Sequence, residues 1–319
     1  MSALLEVRNL KKYFDTPNGK LHAVDDVSFT LDPGETLGVV GESGCGKSTL
    51  GKTLLRLIPP TGGEMLFEGR DITSYRGKEF KAMRREMQMI FQDPFASLNP
   101  RQSVKTIISE PMIVHKTYAT KKEREARAYE LMETVGLAKR YADVYPHEMD
   151  GGRRQRIGIA KALSLDPKFI VCDEPVSALD VSIQAQIINL LMDLQEKHNL
   201  AYMFITHDLS VVRHISTRIF VMYLGQVVES CPTKELFATA LHPYAKALLS
   251  AIPVTNLQSR REKIILKGEL TSPIEPKDAC RFAPRCNYAR EECFMSTPPL
   301  REFTANHNVA CHLAEEING

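Results

Sequence analysis

Three groups of residues have types and spacings that could do chemistry. The first is Gly41-Glu42-Ser43-Gly44-Cys45-Gly46-Lys47-Ser48, followed by Thr49, which fits the phosphate-loop pattern G-x-x-x-x-G-K-[ST]. Small residues let successive backbone N–H groups curl round phosphate oxygens, and a following helix adds partial positive charge. Lys47 is then placed to reach the outer phosphates and Ser48 to ligate Mg²⁺. The second group is Phe169-Ile-Val-Cys-Asp173-Glu174, four apolar residues followed by two carboxylates. At the end of a buried strand Asp173 can hold Mg²⁺ through water. Glu174, one residue on, is placed to polarise the water that attacks a γ-phosphate, since phosphoryl transfer needs an aligned nucleophile and dispersed charge. The third is Cys280, Cys286, Cys293 and Cys311, crowded into the last 40 residues, whereas Cys45, Cys172 and Cys231 are scattered. An intracellular protein keeps thiols reduced, so the late four read as metal ligands rather than two disulfides.

These groups need elements to hold them. Residues 35–41 form a β-prone run that ends in the glycine loop, and a helix is expected from Lys47, ending before Pro59-Pro60. Short apolar runs at 87–91, 169–172, 201–205 and 219–224 read as buried strands of a parallel sheet. Near the start, two alternating stretches at 4–9 and 24–31 flank the turn signal Thr16-Pro-Asn-Gly, which predicts an antiparallel β region. Residues 100–165 are helix-rich, with Tyr129, Met132, Val135 and Leu137 at roughly helical spacing, and read as a helical subdomain inserted into an α/β core. Past about residue 250 strands are not expected, prolines recur at 253, 273, 276, 284, 298 and 299, and the segment reads as a separate appendage. There is no internal repeat.

Composition narrows the classes. The chain has 319 residues, 43% hydrophobic and 25% charged, which excludes a disordered or low-complexity protein and allows a large core. A formal net charge of +2 gives no reason to expect a nucleic-acid partner. No apolar run is long enough to span a bilayer, and Glu6 and Arg8 interrupt the place a signal peptide would need, so the expectation is a chain neither exported nor membrane-spanning.

With these residues in order the chain resembles one family, the ATP-binding subunits of ABC transporters, over about residues 3–250. Gln92, in Phe91-Gln92-Asp93-Pro94, matches the family's glutamine that senses Mg²⁺ and the transmembrane partner. Ser177-Ala-Leu-Asp180 matches the dimer-contact loop, His207 the switch histidine contacting the γ-phosphate, and Phe14, or its neighbour Tyr13, the aromatic that stacks on adenine. The resemblance implies an α/β fold: an ABC-type P-loop NTPase core with an antiparallel β subdomain, an inserted helical subdomain at about 95–165, and a C-terminal Cys-rich extension. The ATPase domain is expected over 1–250 and the extension over 251–319. It also implies two motor domains sandwiching two nucleotides head to tail.

One motif departs from the family pattern. The signature Leu-Ser-Gly-Gly-Gln corresponds here to Met149-Asp150-Gly151-Gly152-Arg153. That signature would face a nucleotide held by the partner, so an ionised Asp150 meets like charge, costing about 4 kcal/mol at 4 Å and an effective dielectric near 20. The expectation is a competent site built on this chain's Lys47, Asp173, Glu174 and His207, and an impaired one on the mate's phosphate loop. The alternative is that Asp150 only caps the following helix, neutralised by Arg153, Arg154 and Arg156.

The tail carries a subfamily resemblance. His242-Pro243-Tyr244 and the segment at 93–101 are similar to oligopeptide, dipeptide and nickel importers, and Cys280-x5-Cys286-x6-Cys293-x17-Cys311 is similar to their [4Fe-4S]-binding set. Four thiolates are the usual complement of such a cluster; they also suit tetrahedral Zn²⁺, although the usual C-x2-C pairs are absent. His307 and His312 flank the last cysteine and read as surface residues. The implied protein uses ATP and Mg²⁺ at the cytoplasmic face of a membrane. Its partners would be a non-identical second ATPase subunit, two transmembrane permease subunits and an extracytoplasmic peptide-binding protein, with short peptides as cargo. A nickel or metal-chelate importer, a soluble iron–sulfur ABC ATPase and a regulatory ATP-holding module are the alternatives. The single phosphate loop and the lack of sustained heptads weigh against the second, Glu174 and His207 against the third.

Overall fold

A computed structural model describes residues 3–93, 97–252, 263–268 and 271–319. Residues 94–96 of the segment 93–101 and Pro253 lie outside the described residues. The described chain divides into two compact units, one from residues 31–35 and 67–205 with the first few residues, the other from 5–30, 36–66 and 206–319.

In the first unit, strands Met87–Ile90, Phe169–Asp173 and Ala201–Ile205 run parallel, with Ile90 opposite Cys172 and Asp173 opposite Ile205. Every residue of the last two strands is buried, as expected of parallel strands covered on both faces, and this is why they read as unbroken apolar runs. The helices of the 100–165 region are Val104–His115, Lys121–Thr134 and Gly151–Leu163. Thr120 starts the second with a capping box: its hydroxyl accepts the Glu123 N–H at 3.2 Å while the Glu123 carboxylate accepts the Thr120 N–H at 2.9 Å. Met132, Val135 and Leu137 are buried as the spacing predicts, but Ala128 takes the core position expected of Tyr129, which is half-buried.

In the second unit, strands Leu5–Thr16 and Gly19–Leu31 are sheet neighbours joined by two residues, a link short enough only for antiparallel pairing. Strand Thr36–Val40 pairs in parallel with Arg218–Tyr223 and leads into the loop 41–46 and helix Lys47–Leu54. Arg218–Tyr223 pairs antiparallel with Gln226–Pro232, which pairs with His307–Val309, which pairs with Arg301–Thr304.

Those last two strands correct the expectation that strands stop past 250. At three and four residues, with mixed polarity, they carry too short a pattern to be read. Nor is the tail separate within its unit. Ile274 bridges Leu21, and Phe282 packs edge-on against Tyr223 at 5.2 Å and tilted against Tyr244 at 5.5 Å, so the tail's apolar residues complete the core beside strand Arg218–Tyr223. Among the described residues no helix is long and apolar enough to cross a membrane.

Candidate active site

The phosphate loop takes its shape from glycines that no other residue could replace. Gly41 and Gly46 have φ of 151° and 105°, and a Cβ on them would stand 2.2 Å from the Met222 carbonyl oxygen and 2.0 Å from that of Ala23. Lys47, buried at the helix start, donates through Nζ to the carbonyls of Gly41 at 2.8 Å and Glu42 at 2.9 Å. Ser43 and Gly44 are exposed on the rim, Ser48 and Thr49 half-buried on the first turn. Cys45 is buried, and burial raises its thiol's pKa despite Lys47 nearby, so it packs as a small apolar group. His207 is exposed after Thr206, whose N–H donates to Val39, tying this turn to the strand that feeds the loop. Of the two aromatic candidates, Tyr13 has one face covered by His22, with ring centroids 3.8 Å apart, and its hydroxyl donates to Asp25. Phe14 is half-buried, with Lys12 Nζ 4.7 Å from its ring centre.

The acidic residues lie in the other unit. Asp173 is buried at the end of its strand. Glu174 has φ of 46°, a left-handed backbone held by its N–H to the Ile205 carbonyl at 2.9 Å, and Gln92 Nε2 donates to its carboxylate at 3.0 Å. A non-glycine residue in this conformation costs about 1–3 kcal/mol, and such strain concentrates at functional sites. Asp180 is exposed and precedes helix Val181–His198, whose first residue, Val181, is 82% exposed.

Asp150 is the N-cap of helix Gly151–Leu163. Its side chain accepts the Arg153 N–H at 2.8 Å and pairs with the Arg153 guanidinium at 2.8 Å. Arg154 donates to the Pro146 carbonyl at 2.7 Å and Arg156 to that of Val135 at 2.6 Å. Gly152 is needed for close approach, since a Cβ there would meet Ile183 at 2.7 Å.

The four late cysteines are free thiols packed in adjoining apolar clusters. Backbone N–H groups point at three of the sulfurs: those of Phe282 and Ala283 at Cys280, Tyr288 and Ala289 at Cys286, and Leu313 at Cys311. Burial still pushes Cys280 up to about 11 and raises Cys286 and Cys311, with neighbouring sulfurs adding to the rise. Among the described residues, no three of these sulfurs lie mutually within 4.8 Å.

His307 is not a surface residue. It is 4% exposed, and its Nε2 lies 2.7 Å from Glu229, which is fully buried and also accepts the N–H groups of Leu241 and His242. Strand pairing between 229–230 and 308–309 carries the ring inward. His312 bonds the Ser296 carbonyl at 2.9 Å.

Sequence reasoning also missed Asp25, Tyr244, Arg281 and Arg285, which hold the phosphate loop and the strands beside it. Tyr244 was marked by the tail resemblance alone, without this role, and the two arginines stood out only as neighbours of the cysteines. Glu42 donates its N–H to Tyr244 Oη at 2.8 Å and takes a two-pronged ion pair from Arg285 at 2.7 and 3.1 Å.

Comparison with known proteins follows the same residues. The family described as "ABC transporter" matches residues 24–177, and "Oligopeptide/dipeptide transporter, C-terminal region" matches 228–293. The chain is similar to the oligopeptide transport ATP-binding protein OppF of Bacillus subtilis (strain 168), 56% identical over 313 residues, covering 98% of this chain and 97% of that one. It is 53% identical over 320 residues to the oligopeptide transport ATP-binding protein AppF of the same organism, covering 97% of each. Among solved structures, the dimeric post-hydrolysis state of the ATP-binding cassette MJ0796 bound to ADP and Pi matches with a TM-score of 0.66 and 28% identity, covering 72% of this chain and 98% of that one. CbiO1 from Clostridium perfringens, part of the ABC transporter complex cbiONQ, matches with a TM-score of 0.67 and 27% identity, covering 75% and 92%.

Proposed function

This chain belongs to the family of ABC transporter ATP-binding proteins and is an ATPase of that family, and from that premise we propose that it energises the uptake of short peptides through a membrane permease. The names of its relatives and the tail region matched at 228–293 support the peptide class. The triphosphate would rest on the N–H groups of loop 41–46 with Lys47 on its outer phosphates, and Phe14, whose neighbour Tyr13 is engaged with His22, would stack on adenine. Ser48, Gln92 and Asp173 would hold Mg²⁺, which when bound neutralises charge between the phosphates. Glu174 would orient and polarise the attacking water, and His207 would contact the γ-phosphate.

The observation that carries the hydrolytic reading is the Gln92 side-chain amide 3.0 Å from the Glu174 carboxylate, just past the end of strand Phe169–Asp173. The neutralising Arg153 beside Asp150 leaves a capped helix start in place of a bare negative charge, so the mate's site would be slowed rather than abolished. The mate would be a second, non-identical ATPase subunit. The permease would be two membrane-spanning subunits, supplied by an extracytoplasmic peptide-binding protein, with this chain docked at their cytoplasmic face.

The four cysteines would suit a [4Fe-4S] cluster by donor type, four thiolates being its usual complement, with the Tyr288 N–H 3.4 Å from Cys286 Sγ. When bound, such a cluster supplies a rigid cross-link between four points of the tail. Reconstitution in vesicles with the permease and mate tests the whole reading: peptide-loaded binding protein should stimulate ATP hydrolysis. Hydrolysis indifferent to peptide, or no co-purification with a permease, refutes it.

A further inference from the structure

The tail's first two cysteines are each joined to an arginine, as Cys280-Arg281 and Arg285-Cys286; Arg285 reaches Glu42 of the phosphate loop, and Arg281 reaches the Leu224 carbonyl and Asp25. Their side chains are only 8% and 11% exposed. Arg285 grips the first limb of the loop through its two-pronged pair with Glu42. Together with Tyr244 on the Glu42 N–H and Lys47 on its carbonyl, this leaves every polar group of Glu42 engaged. The Glu42 bond raises the pKa of Arg285 against the cost of its burial.

Arg281 grips the second limb at one remove. It donates to the Leu224 carbonyl, and the next residue, Gly225, donates its N–H to the Cys45 carbonyl at 2.9 Å. Its other nitrogen pairs with Asp25, which also accepts from Tyr13 and from His22 Nδ1 at 3.1 Å, beside Phe14. Although burial alone would raise the Asp25 pKa, these partners together hold it below the ordinary value.

We propose that Arg285 and Arg281 are positioning residues for the phosphate loop, through which the cysteine-bearing tail braces the nucleotide cradle in its binding shape. The proposal rests on the nucleotide reading above and adds that the tail sets nucleotide affinity. A brace that acts before binding changes the fraction of loops competent to bind. Its loss therefore raises KM and Kd for Mg-ATP and leaves kcat close to wild type, because the hydrolytic acid is carried elsewhere.

The test uses the full chain assembled with its mate and permease. Arg285→Gln should weaken binding of a fluorescent ATP analogue about tenfold, the loss expected when one charge-assisted pair is removed. Arg285→Lys should fall between, Arg281→Gln should act in the same direction, and the exchange Glu42→Arg with Arg285→Glu should recover affinity. Linkage requires the reverse effect as well: Mg-ATP should slow amide exchange at residues 280–286 in the wild type and not in Arg285→Gln. Unchanged affinity in Arg285→Gln, or a fall confined to kcat with Kd unaltered, overturns the brace while leaving the nucleotide reading intact. A wild-type complex with no affinity for Mg-ATP overturns both.

Discussion

The buried contact between Glu229 and His307 makes a graded prediction about how the tail is held within its unit. Glu229 is fully buried and accepts three bonds, from the N–H groups of Leu241 at 2.9 Å and His242 at 2.7 Å and from His307 Nε2 at 2.7 Å. His307→Ala removes one hydrogen bond to a charged group, about 1.5–3 kcal/mol. Glu229→Ala leaves three buried donors without an acceptor, and at about 1–3 kcal/mol each the loss is about 3–9 kcal/mol. The order of the two variants is therefore fixed: Glu229→Ala costs more than His307→Ala. The double variant should cost less than the sum of the two, by about 0.5–3 kcal/mol, because the two residues share a bond. Amide exchange at strands His307–Val309 and Arg301–Thr304, read beside thermal unfolding of the whole chain, measures this locally and globally. If His307→Ala left exchange in both strands unchanged, or cost as much as Glu229→Ala, the three-donor account of the contact would be wrong.

Glu174→Gln should lower ATP turnover about 10²- to 10⁴-fold, the range of general acid–base loss, with Mg-ATP affinity kept; equal losses in both would give Glu174 a binding role instead. Asp150→Ser with Arg153→Gln should raise turnover of the assembled complex without lowering Tm, because serine caps a helix about as well as aspartate; unchanged turnover would count against a slowed second site. Burial pushes His242 down to about 3, while the unfolded chain titrates near 6.5. Below about pH 6.5 the unfolded state therefore binds the extra proton, and stability should fall with falling pH through that window. His242 Nδ1 caps the helix at Pro243–Ser250 by accepting the Tyr244 N–H, so His242→Asn should keep the cap and flatten the acid limb of a Tm-against-pH curve. Anaerobic purification should yield a brown protein that bleaches on iron chelation; a colourless protein with one bound Zn²⁺ would replace the iron–sulfur reading with zinc.

Much of the candidate nucleotide site was legible because its geometry is local. A run of small residues between a strand and a helix suits a phosphate cradle, and the positive-φ glycines at 41 and 46 are close in sequence to Lys47, which closes back onto the loop. Two carboxylates after four apolar residues mark a strand end for the same reason, and the parallel strands at 169–173 and 201–205 followed from their unbroken apolar runs.

The rest depended on which groups packing brings together. Nothing near Glu174 in the chain announces its left-handed backbone or Gln92, 82 residues away. Asp150 could be read as a clash or as a cap from its type alone, and the fold adds what the type does not show: the Arg153 side chain turns back upon it, while Arg154 and Arg156 donate to the carbonyls of Pro146 and Val135. His307, expected at the surface, is buried because a three-residue strand too short to read pairs beside Glu229. Arg285 reaches Glu42 across 243 residues. Residue types and their near neighbours thus determined the loop and the strand ends, because backbone hydrogen bonding and side-chain period are short-range. Burial decided the partners of each charged group, because a charge removed from water must find its counterpart wherever the fold has placed one.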